Sequence, residues 1–172
     1  MLNRIQLALD LASKVAITLA ALILVYAVSH ILLETVLRSI FSTSTHVLDE
    51  FVGFAILSIT FLSLAWTFRS GGMIRVTLLT DQLPLRAARY ANATVSGVAG
   101  LLAMGLCVFF YRNFMKDLDR GAVSESVAEV PLWIPGLIVL AGASLLAAQL
   151  LLHAVRALLA ESEPPSDAPR NG

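Results

Sequence analysis

Four long apolar runs divide the chain, at residues 15–33, 47–68, 91–111 and 131–155. A bilayer core needs about 20 consecutive apolar residues from a helix, so each run predicts a transmembrane helix. The polar stretches between them are short. Residues 2–14 place Leu2, Ile5, Leu9 and Ala12 at helical spacing. That rhythm predicts a short helix lying along the membrane surface. Residues 74–92 repeat the theme: Ile74, Leu78 and Leu79 precede a Leu-Pro break and two arginines. Pro131 and Pro135 open the fourth run. Proline fits the first helical turn, where its missing N–H has no helical partner. The helix is expected to start at Pro131, with Pro135 bending its first turns. Residues 161–172, "ESEPPSDAPRNG", are polar and proline-rich and predict a disordered tail. The expected architecture is all-α: a polytopic membrane protein with four transmembrane helices and short interfacial helices. One four-span domain covers residues 1–160, and the tail follows.

Composition agrees. The 172 residues are 58% hydrophobic and 14% charged, with a mean hydropathy of +0.81. A soluble domain lacks the polar surface to cover such a core. A formal net charge of zero offers nothing to nucleic acid. Cys107 is the only cysteine, so neither a zinc spacing nor an internal disulfide exists. Arg4 and Lys14 precede the first run in the manner of a signal peptide. The run is longer than a signal core, and its end lacks a small-residue cleavage site, so it reads as a retained span. Eight Lys and Arg residues fall at the termini and in the loop after the second run; four fall in the other two loops. Positive charge favours the cytoplasmic side, which puts both termini there in a multi-pass protein.

Little chemistry is encoded. The sequence holds no HExxH, no GxSxG and no Gly-rich phosphate loop, so no catalytic site is expected. His30 and His153 fall at opposite depths and His46 precedes the second run, which argues against a shared haem iron or any other cofactor. An ion-coupled carrier acting alone needs ionisable groups at mid-membrane, and the middles of all four runs have none. What remains is a chain built to pack against something. Small residues recur at spacing four: Ala16 and Ala20, Ala93 and Gly97, Ser96 and Gly100, Ala143 and Ala147, Ser144 and Ala148. Such pairs let membrane helices approach closely. A four-helix membrane anchor or cytochrome-type subunit of a respiratory complex is one assembly that fits this description.

Asp49 and Glu50 stand together at the head of the second run. Acids in a first turn suit the helix dipole, and "STST" at residues 42–45 offers capping hydroxyls. Neighbouring residues on a helix point about 100° apart. Glu50 shares its face with Gly53 and Leu57, which predicts that it faces the bundle or a partner and meets a hydrogen-bond donor. Asp49 is expected to face water. Trp66 and Trp133 suit interfacial anchors at opposite faces of four tightly packed spans.

"RSGGMIRVTLLTDQLP", residues 69–84, resembles a pattern R-x-G-G-H-I-x-V-D-x-L followed by L-P. Arg69, Gly71, Gly72, Ile74, Val76, Leu78, Leu83 and Pro84 match it, while Met73 and Thr77 replace the usual histidine and aspartate. "SESVAEVPLWIP", residues 124–135, resembles the Ser-then-Pro-x-Trp lead into the last span, and Glu50 falls where an acid is usual. These motifs, in this order, are similar to the small, DctQ-like membrane subunit of tripartite ATP-independent periplasmic (TRAP) transporters. The resemblance implies partners: a large membrane subunit that holds substrate and sodium, and a periplasmic binding protein that delivers an organic acid. It implies a scaffold beside an elevator-type transporter, with membrane lipid around it. It also nominates Glu50, Arg69, Gly72, Arg75, Pro84, Pro131 and Trp133 as subunit-interface or structural residues. Arg69, Arg75, Arg86 and Arg89 could grip lipid phosphates or acids of the partner.

Overall fold

The computed structural model describes residues 2–70 and 85–159. They form α1 (Leu2–Phe41), α2 (Leu48–Arg69), α3 (Leu85–Arg120) and α4 (Trp133–Leu159). All four are long and apolar enough to cross a membrane. Among the described residues there is no strand, only an isolated bridge between Val123 and Pro131.

The element bounds differ from the expected ones in two places. The N-terminal surface helix does not stand apart: α1 runs unbroken for 40 residues, about 60 Å at helical rise. Residues 2–41 contain neither glycine nor proline, so nothing interrupts the backbone between the two segments. Of the second expected surface segment, residues 85–92 open α3, and residues 74–84 lie outside the described residues, as does the tail at 161–172. The fourth helix begins at Trp133, not Pro131. Ser124 N–H donates to the Val130 carbonyl and Leu132 N–H to the Ala122 carbonyl, both at 2.9 Å. Those bonds hold Pro131 in the α3–α4 loop. Pro135 falls in the first turn of α4 and is buried.

The chain order is not the packing order. α2 lies against α1 on one side and α4 on the other, and α3 packs chiefly on α4. The sequence α1–α2–α4–α3 makes a row more than a closed bundle. Phe110 extends from α3 to α2 and meets Phe61 edge-on, ring centroids 5.3 Å apart.

Small side chains fill the seams. Ala16, Ala20 and Leu62 form one buried cluster, and Phe68, Ala103, Ala147 and Leu150 another. Of the spacing-four pairs, Ala16 with Ala20, Ser96 with Gly100 and Ala143 with Ala147 are buried. Gly100 lies close to Leu151, whereas Gly97 faces open space and Ser144 is exposed. Large apolar residues point outward: Leu22 is 62% exposed, Val95 68% and Leu101 69%. Soluble proteins rarely expose patches of that kind; a membrane protein presents them to lipid or to a partner. Without water between helices, association relies on close van der Waals contact and hydrogen bonds, which alanine seams permit.

Candidate functional site

Polar side chains gather at both ends of the spans. One end, the terminal face, holds the start of α1 and α3 and the end of α2 and α4. The other, the hairpin face, holds the α1–α2 and α3–α4 loops.

At the terminal face, every helix is tied to a neighbour. Asp10 on α1 lies 2.7 Å from Arg69 Nε on α2. The Arg69 guanidinium also sits 5.8 Å from the Trp66 ring centre, within cation–π range. Ser13 is fully buried and donates to the Leu9 carbonyl at 2.8 Å. Its oxygen accepts from Gln149 Nε2 at 3.1 Å, which joins α1 to α4. His153 Nδ1 is 3.2 Å from Ser96 Oγ, joining α4 to α3. Its ring meets Phe68 of α2 edge-on at 5.6 Å. Arg69 thus sits in a latch between two helices. Asp10, Ser13 and Gln149 complete a set that spacing rules do not find, because their partners are 59 or more residues away.

At the hairpin face, the central group is Glu34, which motif reading passes over. It is 1% exposed, although Arg38, one turn on, keeps a 59% exposed side chain. Arg38 Nε donates to Glu34 Oε1 at 2.8 Å, and Ser44 Oγ donates to the same oxygen. Thr45 supplies its backbone N–H at 3.1 Å and its hydroxyl at 2.7 Å to Oε2. Four donors converge on one carboxylate and pin the loop to the end of α1. The loop backbone needs that hold: Ser42 and His46 take positive φ angles of 49° and 57°, uncommon for residues with a Cβ. The "STST" hydroxyls therefore do not cap α2. The N-cap position belongs to Val47, with no side-chain cap bond. The only advance signal was the Glu34–Arg38 spacing of four, common on helix surfaces.

Asp49 is exposed and Glu50 half-buried, as the helical wheel predicts. The expected donor is missing: Glu50 Oε2 is buried with no hydrogen-bond partner among the described residues. His30 stacks on Tyr26 at 5.8 Å and meets Phe51 at 5.9 Å. Its Nδ1 is likewise buried and without a partner there. Pro131 sits in the loop bridge and Trp133 opens α4 half-buried. Glu50 and Arg69 lie at opposite ends of α2 and do not form a common site. Gly72, Arg75 and Pro84 lie outside the described residues. No group of three His, Cys, Asp or Glu side chains suited to a metal occurs among the described residues. The arrangement latches helices and offers surfaces.

Residues 27–160 match the family described as "Tripartite ATP-independent periplasmic transporters, DctQ component". The match covers well over half of the chain and includes Glu34, Glu50, Arg69, Gln149 and His153. No curated protein and no solved structure matches the chain.

Proposed function

Because the chain belongs to the DctQ family, the small membrane component of tripartite ATP-independent periplasmic transporters, we propose that it scaffolds the large transport subunit. That subunit would carry out sodium-coupled uptake of an organic acid handed over by a periplasmic binding protein. The observation that supports a scaffold is the distribution of side chains. Small residues and latches hold the four helices to each other, while large apolar residues cover the outside. The middles of the spans carry no ionisable group with which to move an ion. A row of helices is broad in the membrane plane, which suits a part that resists tilting while its neighbour moves.

Glu50 is the suggested contact. A buried carboxylate oxygen without a partner among the described residues can accept a donor from the large subunit. A hydrogen bond to a charged group is typically worth about 1.5–3 kcal/mol, or roughly tenfold or more in assembly. Uptake is expected only when both membrane subunits are reconstituted with binding protein, substrate and a sodium gradient. Glu50→Ala is expected to lower co-purification of the large subunit and uptake by at least about tenfold, and Asp49→Ala to leave both near wild type. Strong uptake by either membrane subunit alone would refute the scaffold. Equal behaviour of the two variants would remove Glu50 from the contact.

The basic residues at the termini and in the loop after α2 support cytoplasmic placement of both termini. Reporter fusions at each end should read cytoplasmic, and a periplasmic signal from either would reverse the topology.

A further inference from the structure

A cavity of about 170 Å³ opens at the terminal face, between the start of α1 and the ends of α2 and α4. Its lining includes two guanidiniums, Arg69 and Arg156, with the His153 imidazole and the Gln149 amide beside them. Gln6 also faces it and carries a buried amide oxygen with no hydrogen-bond partner among the described residues. Phe68 and Leu152 supply apolar wall. At roughly 30 Å³ for each water, the space would hold about five waters. It is thus roomy enough for a tetrahedral anion with part of its shell.

We propose that this cavity binds the phosphate group of a membrane phospholipid. Guanidinium groups stay charged at any physiological pH and match phosphate oxygens with paired donors. Among the described residues the lining holds two such groups and no carboxylate. Asp10 engages Arg69 through Nε, from outside the lining. Depth selects a lipid over a dissolved anion. Arg69 ends α2, whose 22 residues span about 33 Å, close to the thickness of the hydrocarbon core. The cavity therefore lies at headgroup level, where basic pockets between transmembrane helices take lipid headgroups. Phe68 and Leu152 continue from it into the apolar spans. The lipid phosphate joins α2 to α4 at the point where Asp10 joins α2 to α1. This site does not depend on the transporter reading; it needs only that the four helices span a membrane.

The test uses the full chain purified in detergent and native mass spectrometry. The probes are phosphatidylglycerol, a diacylglycerol with the same acyl chains, and inorganic phosphate as competitor. Phosphatidylglycerol is expected to bind at least tenfold more tightly than the diacylglycerol. Arg156→Gln should weaken it at least fivefold with helical content unchanged. Arg112→Gln, exposed on the hairpin face, should leave it as in wild type. Arg69→Gln serves as a second variant, read alongside thermal stability because it also breaks the Asp10 pair. Equal phosphatidylglycerol binding by wild type and Arg156→Gln would overturn the proposal. So would equal binding of the two lipids, or an equal loss with Arg112→Gln. Full displacement by millimolar inorganic phosphate would overturn the lipid assignment and leave a site for the free anion.

Discussion

Gly142→Leu is expected to abolish recovery of monodisperse protein, by forcing α2 away from α4. A Cβ at Gly142 would stand 2.4 Å from the Phe61 carbonyl oxygen and 2.6 Å from its carbon. Both atoms are backbone of a helix, so neither can swing aside. Overpacking by one or two carbons ordinarily costs about 1–3 kcal/mol, and more where the neighbour cannot yield. Gly142→Ala should therefore lower thermal stability, and leucine should exceed what a row of four helices tolerates. Gly97→Ala and Gly105→Ala are the controls. Their Cβ atoms would meet nothing within 4 Å. Alanine is favoured over glycine inside helices by about 0.8–1 kcal/mol, so these variants should be as stable as wild type or slightly more. Thermal scanning of the purified chain in detergent checks the set. Wild-type stability for Gly142→Leu would mean that α2 and α4 do not meet closely at Phe61 and Gly142.

Glu34→Ala carries the second largest expected effect. It removes the acceptor for the Thr45 N–H, the Thr45 and Ser44 hydroxyls and Arg38 Nε in one step. Buried donors without acceptors are costly, and the positive-φ residues Ser42 and His46 lose the contact that holds their loop. Glu34→Gln is no rescue, because one of its two terminal atoms would present a donor to donors. Arg38→Ala should be much milder, since that side chain is largely exposed. Amide hydrogen exchange across residues 42–47 reads the difference directly: protection collapses in Glu34→Ala and Glu34→Gln and largely persists in Arg38→Ala. Unchanged protection at Thr45 in Glu34→Ala would show that the loop is held by something else.

Hydropathy made the four spans legible because a 20-residue apolar run has few alternatives to a membrane helix. Helix periodicity also separated Glu50 from Asp49. The same reasoning failed where the answer depended on distant partners. Gly142 has Ile138 and Leu146 four residues away, so a search for small residues at spacing four passes over it. Its role comes from the approach of Phe61, 81 residues earlier. Glu34 was hidden by its place at the edge of an apolar run, where an acid normally meets water. The "STST" hydroxyls had two possible acceptors, the α2 amides as a cap and a carboxylate on α1. Local rules favour the cap; the fold delivers Glu34. The Ser13–Gln149 and Ser96–His153 pairs span 136 and 57 residues. Nothing in either local sequence names its partner.

The packing order α1–α2–α4–α3 also sets an order in time. The ribosome makes α3 before α4, yet α3 finds its main neighbour only in α4. Until α4 is threaded into the bilayer, α2 has one side uncovered and α3 has hardly any of the described helices to lie against. The 27-residue α4 then arrives as a wedge between α2 and α3. Its Gly142 meets Phe61, its Gln149 meets Ser13 and its His153 meets Ser96, one contact for each earlier helix. Closure of the four-helix arrangement therefore waits on α4, the helix that bridges α2 and α3.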